Sequence, residues 1–196
     1  VSVGMASMGE IEDVIKIYQS YKNNNVVLLH CVSNYPCKSE SINMEVLSTL
    51  TQAFQLPVGY SDHSVGPEAS ILSVAYKAKV IEKHFTLDKN LDGPDHLAST
   101  TPSEFTTLSG SIRKAESMLG SPVKEIQEEE LQMAKVSRKS MHFSRDMNLG
   151  EVIQENDIVL MRPGSGLYIS LLPHILKRKL NASIKKGSMV SFSDFS

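Results

Sequence analysis

Gly59-Tyr60-Ser61-Asp62-His63-Ser64 and Ile81-Glu82-Lys83-His84-Phe85-Thr86, with the turn Gly93-Pro94-Asp95-His96 beyond them, carry the reading of the fold. Each of the first two follows or contains a short apolar run that reads as a buried strand. Alternate side chains of a strand share a face, so Ser61 goes with His63 and Glu82 with His84. If the two strands are neighbours in a parallel sheet, their polar ends converge on one spot. Two imidazoles, a carboxylate and a hydroxyl meet there, a donor set suited to a divalent metal with an acid or base beside it. A single His at a strand end is more often structural than functional; what favours function is that both occur beside charged neighbours at strand ends, where parallel barrels place their chemistry. Lys83 alternates out to the opposite face and reads as the structural partner of a nearby carboxylate.

Outward from this pair, the chain repeats one pattern. Val1-Ser2-Val3-Gly4 reads as a strand end, and residues 10–21 then carry Ile11, Val14, Ile15 and Tyr18 at helical spacing. The run Val26-Val27-Leu28-Leu29-His30-Cys31 is apolar without alternation, as in a strand buried on both faces of a parallel sheet. Residues 43–54 read as the next helix, Val58 to Tyr60 as a short strand, 67–77 as its helix and 78–85 as the following strand. Thr101-Pro102-Ser103-Glu104 is a capping box with proline at the first helical position, opening a helix that stops at Gly120. Four strand–helix units with polar strand ends read as half of an eightfold parallel barrel. On pattern alone an open doubly wound sheet competes with it.

Past Gly120 the character changes. Pro122 and the acidic run from Glu125 to Glu130 read as a solvated linker or a short surface helix. Beyond them, Gly150-Glu151-Val152-Ile153 followed by Asn156-Asp157-Ile158 is echoed by Gly187-Ser188-Met189-Val190 followed by Ser193-Asp194-Phe195. The repeat predicts a small two-fold β-rich fold.

The chain has 196 residues and a net charge of −2, enough length for a packed core and too little positive charge for a phosphate-driven nucleic-acid binder. Lys177-Arg178-Lys179 and Lys185-Lys186 are short surface clusters. Two cysteines, Cys31 and Cys37, form neither a disulfide scaffold nor a zinc pattern, and they fit a reducing compartment, hence a cytoplasmic protein. No apolar run is long enough to span a bilayer, and no charged-then-apolar leader precedes the first strand. Because Val1 falls inside an apolar strand pattern, a fragment of a longer chain is expected.

The stretches 59–64, 81–88 and 93–96 resemble the sialic acid synthase family, enzymes that condense phosphoenolpyruvate with an N-acetylated amino sugar. His30-Cys31-Val32-Ser33-Asn34-Tyr35-Pro36 resembles the family's preceding strand end, residues 102–116 its last barrel helix, and Arg162-Pro163-Gly164-Ser165-Gly166 the signature of its antifreeze-like domain. The resemblance implies the second half of a TIM (β/α)8 barrel over 1–121, a linker over 122–136 and an antifreeze-like domain of the SAF, β-clip type over 137–196. It further implies four earlier strand–helix units, bearing basic and polar residues for phosphoenolpyruvate.

For the site, the resemblance implies a divalent metal, commonly manganese with magnesium or cobalt as alternatives, on His63 and His84. It implies Glu82 as the base that assists water at C2 after the methylene carbon of phosphoenolpyruvate has attacked the sugar aldehyde. Ser2, Ser33 and Ser61 match positions around phosphoenolpyruvate, although some members carry Asn where Ser33 stands. Tyr35 and Asp95 match sugar contacts. Arg162 is implied to reach the acceptor of a neighbouring protomer, so the partner expected is a second copy in a domain-exchanged homodimer. The product class implied is a nine-carbon 2-keto sugar acid made from N-acetylmannosamine or a related diacetamido sugar. Competing readings are another phosphoenolpyruvate-dependent sugar-acid synthase and a non-catalytic carbohydrate- or ice-binding module built from residues 137–196. The first fits poorly with the Arg162 domain, the second with a four-unit barrel half carrying His63, Glu82 and His84.

Overall fold

A computed structural model describes residues 1–196. The chain divides into two compact units, Val1–Pro122 and Val123–Ser196.

The first unit is α/β. Helix α1 (Met8–Ser20) opens on a capping box in which the Ser7 hydroxyl accepts from the Glu10 amide and the Glu10 carboxylate accepts from the Ser7 amide. Strand β1 (Leu28–His30) and helix α2 (Val46–Phe54) follow, then β2 (Val58–Asp62), α3 (Glu68–Ala75), β3 (Ile81–Lys83) and α4 (Pro102–Leu119). The strands lie in the order β1-β2-β3, all parallel, and Ser2 adds a parallel bridge to Leu29. The expected strand at residues 1–4 is reduced to that bridge, because Gly4 turns away at φ 38°. β1 is buried along its whole length, as the unalternating apolar run required.

Leu28, Leu47 and Leu50 are fully buried between sheet and helices, each contributing about 1.5–3 kcal/mol by removal from water. Gly59 is required by close packing: a Cβ there would collide with the Val80 carbonyl and the Leu29 side chain.

The second unit begins with helix α5 (Glu128–Ser137), which occupies most of the stretch read as a linker or surface helix. An antiparallel pair follows, β4 (Ser140–Phe143) with β5 (Ile158–Met161), and a short helix α6 (Leu172–Ile175). The repeat in the sequence is a repeat in space. Gly150 and Gly187 take φ of 81° and 83°, Ile153 and Val190 are buried in one core with Met141, Phe143, Met147, Ile175 and Leu180, and each copy ends in a 3-10 turn capped by its aspartate. Asp157 accepts from the Gln154 amide at 2.9 Å, and Asp194 from the Ser191 amide at 2.7 Å.

Asp157 also accepts from Arg145 Nε at 2.7 Å. Burial pushes its carboxyl up, but the Arg145 guanidinium and the Gln154 amide outweigh burial and hold it below the ordinary 3.8. A carboxyl whose folded pKa is depressed contributes stability that is present above the unfolded value and lost as pH falls through the folded one. Urea melts of the second unit are therefore expected to weaken as pH drops below 3.8, and Asp157→Asn to remove part of that slope. An unchanged slope in the variant would assign the acid sensitivity elsewhere.

Candidate active site

β2 and β3 are neighbours, with Ser61 opposite Glu82 and Asp62 opposite Lys83. Alternation therefore puts Ser61, His63, Glu82 and His84 together at the C-terminal edge of the sheet. The Ser61 hydroxyl donates to Glu82 Oε1 at 2.6 Å and lies 3.2 Å from His63 Nε2. His63 Nδ1 is 2.7 Å from the Val32 carbonyl. A carbonyl only accepts, so Nδ1 carries the ring proton and neutral Nε2 presents a lone pair. The one hydroxyl proton of Ser61 goes to Glu82, which leaves that lone pair without a donor.

Further contacts fix the histidines. The Cys37 amide donates to the His63 carbonyl at 2.9 Å, which draws the loop after β1 over the site. Tyr35 on that loop lies with its ring 4.2 Å from the His63 ring and 5.0 Å from that of His84. Past β3, the Thr100 amide donates to the His84 carbonyl at 2.8 Å and the Thr86 amide to the Thr100 carbonyl at 3.0 Å. Asp95 sits on the intervening loop, held by Ser99 Oγ on its carbonyl at 2.7 Å, with its carboxylate 3.9 Å from His84 Nδ1. The His63 and His84 rings are perpendicular, 5.4 Å apart.

A divalent ion fits this donor set. Ligating imidazoles characteristically donate their second N–H to a carbonyl or carboxylate; His63 does so to Val32, and Asp95 stands near His84. No three His, Cys, Asp or Glu side chains are arranged as a closed cage, so most of the ion's positions would be left to other ligands, as in a catalytic site.

The remaining expected residues are placed as follows. Ser2 is level with Leu29 and Gly59, deeper along the sheet than Ser61. Ser33 is an exposed residue on the loop after β1. Neither has a side-chain hydrogen bond to the Ser61 cluster. Arg162 is exposed in the second unit, its Nε on the Ser137 carbonyl at 3.1 Å. Its loop is fixed by Ser140 Oγ on the Pro163 carbonyl at 2.7 Å and the Gly164 amide on the Lys135 carbonyl at 3.1 Å. Gly164 and Gly166 are needed because a Cβ at either would strike Arg138 or Met189.

Lys83 is where alternation put it, on the far face, 2.9 Å from Asp62. Asp62 itself was legible by the same alternation, since it separates Ser61 from His63. The role of the Val32 carbonyl was not, because a main-chain acceptor leaves no mark in sequence. Cys31 and Cys37 are free and buried, and no helix is long and apolar enough to cross a membrane.

Residues 1–124 match the NeuB family. The N,N'-diacetyllegionaminic acid synthase of Legionella pneumophila is 42% identical over 192 residues, covering 96% of this chain and 54% of its own. The pseudaminic acid synthase of Campylobacter jejuni is 35% identical, covering 100% of this chain and 57% of its own. Among solved structures, the N-acetylneuraminic acid (sialic acid) synthetase of Leptospira borgpetersenii, in complex with citrate, superposes with a TM-score of 0.62 at 39% identity, covering 67% of this chain and 46% of that one. The chain thus spans about half the length of the curated relatives it matches.

Proposed function

This chain belongs to the NeuB family, and from that premise we propose that it forms part of a synthase condensing phosphoenolpyruvate with an N-acetylated amino sugar to a nine-carbon 2-keto acid. The observation that carries the reading is the register of β2 on β3, which sets Ser61 against Glu82 with His63 and His84 alongside. The relatives named above are a diacetyllegionaminic acid synthase and a pseudaminic acid synthase; for this chain the acceptor proposed is N-acetylmannosamine or a diacetamido relative. The three parallel strands and the Ser2 bridge are then half of a (β/α)8 barrel, and the second unit is an antifreeze-like domain.

His63 and His84 would hold a divalent ion, manganese in the first instance, whose chemistry when bound is to polarise the acceptor's aldehyde. Ser61 keeps the Glu82 carboxylate oriented by its 2.6 Å hydrogen bond. In the reaction the methylene carbon of phosphoenolpyruvate bonds to the aldehyde carbon, whose oxygen takes up a proton, and C2 becomes electron-deficient. Glu82 accepts a proton from water as its oxygen bonds to C2, and the C2–O bond to phosphate then breaks to give the ketone and inorganic phosphate. Tyr35 offers a ring face and a hydroxyl to the sugar, and Asp95 accepts from sugar hydroxyls. Ser2 and Ser33 would contribute to the phosphoenolpyruvate side. The test is phosphate release from phosphoenolpyruvate by the protein carrying this sequence, with a panel of amino sugars. Release that requires both an acceptor and Mn2+ supports the reading, and none with any acceptor refutes it.

Arg162 is proposed to bind the acceptor's N-acetyl group in a partner protomer of a domain-exchanged dimer, its guanidinium donating to the carbonyl. Arg162→Ala is then expected to raise the acceptor KM by about tenfold to a hundredfold, the worth of one charged hydrogen bond, with the phosphoenolpyruvate KM unchanged. Mixed with Glu82→Gln protein under subunit exchange, it should regain activity, since one site of the heterodimer carries neither lesion. No recovery, with subunit exchange independently confirmed, would mean that Arg162 acts within its own chain or not at all.

A further inference from the structure

The site residues alternate with a buried ion pair that the chemistry above does not use. Asp62 lies between Ser61 and His63, Lys83 lies between Glu82 and His84, and the two face each other across β2 and β3 on the side turned away from the site. Lys83 Nζ donates to Asp62 Oδ2 at 2.9 Å and to the Ser64 carbonyl at 2.7 Å. Asp62 Oδ1 accepts from the Ser64 amide at 2.9 Å and the Ser64 hydroxyl at 2.6 Å, and Oδ2 accepts from Ser70 Oγ at 2.5 Å. The Lys83 and Asp62 side chains are 4% and 0% exposed, respectively.

Stability alone is a weak reason for such a pair. Both charges lose their hydration, and apolar residues of similar volume hold two strands together as well or better. What apolar residues cannot do is direct hydrogen bonds at a chosen peptide. Ser64, which directly follows His63, is gripped at its amide and hydroxyl by Asp62 and at its carbonyl by Lys83. The carbonyl of that same His63–Ser64 peptide is held by the Cys37 amide, and the His63 ring by the Val32 carbonyl. Lys83 in turn carries Glu82 and His84 as its chain neighbours. The pair therefore ties the backbone bearing one imidazole to the backbone bearing the other imidazole and the carboxylate.

We propose that Asp62 and Lys83 are positioning residues, whose clamp on Ser64 sets His63 against His84 and Glu82 and so makes the two imidazoles a competent divalent-cation site. The proposal rests on the metal reading above.

The test replaces the pair by apolar residues, Asp62→Leu with Lys83→Met, in the protein carrying this sequence. Two quantities are read: the Kd for Mn2+ alone, by electron paramagnetic resonance, and the His63 Nδ1–H proton by NMR without metal. The double variant is expected to fold but to melt below the native protein, because the Ser64 amide and the Ser64 and Ser70 hydroxyls lose their acceptor, so metal affinity is read at a temperature where both proteins are folded. Its Mn2+ Kd is expected to rise by about tenfold, the lower end of the effect of losing a direct outer partner of a metal ligand, since the pair acts through Ser64, and its Nδ1–H to exchange faster with water. Native Mn2+ affinity in the folded double variant would overturn the proposal. Should the double variant not fold, Lys83→Arg keeps the charge while changing the reach to Ser64; weaker Mn2+ binding is expected, and a native Kd overturns the proposal. If the native protein shows the Nδ1–H signal but binds no Mn2+, the metal reading falls. The positioning of His63 is then judged on that signal: lost in the variant, it stands; retained, it fails.

Discussion

Glu82→Gln is expected to slow phosphate release by about 10²–10⁴-fold, the weight of a positioned general base, while Mn2+ and phosphoenolpyruvate affinities stay close to native. The substitution is nearly isosteric, and a Gln carbonyl oxygen can still accept the Ser61 hydroxyl that now lies 2.6 Å from Glu82 Oε1. The geometry of the site is thereby kept and the capacity to take a proton is lost. Because the same interaction could serve only to hold β2 on β3, melting temperature is measured with turnover. Native turnover with a lowered melting temperature would make Glu82 a structural residue and require another base.

His63→Ala is expected to weaken Mn2+ binding by at least about 100-fold, since loss of an outer partner alone costs about 10–100-fold and this change removes a ligand. Stability should fall modestly, by about 1 kcal/mol for the hydrogen bond to Val32 with some packing against Tyr35. His30 supplies the control. It too is buried with a ring nitrogen on a carbonyl, Nε2 to Ile42 at 2.6 Å, but it packs beside Tyr60 on β2, in the core of the first unit. His30→Ala should cost stability and leave Mn2+ affinity alone. Equal loss of affinity in both variants would mean that the effect travels through the fold.

The α/β character of the first unit, its order of elements and the sorting of Ser61, Asp62, His63, Glu82, Lys83 and His84 onto two faces were determined by the sequence itself. All three rest on periodicity, a local property that any stretch of chain carries with it. The Gly and Asp repeat of the second half is legible for the same reason, because positive-φ glycines and aspartate-capped turns are set within a few residues. Strand lengths were over-read at residues 1–4, 26–31 and 78–85, since a ladder extends only where a neighbour's amides and carbonyls lie opposite.

What the tertiary structure alone decided is which residues reach across. Tyr35 comes over the histidines because the Cys37 amide finds the His63 carbonyl. The His63 lone pair is freed by a main-chain oxygen of Val32, and Asp95 is brought to 3.9 Å from His84 by a loop held at Ser99 and Thr100. These contacts join residues distant in sequence through backbone groups that every residue possesses. Their choice depends on register and loop path, which the packed sheet fixes and no single stretch of side chains encodes.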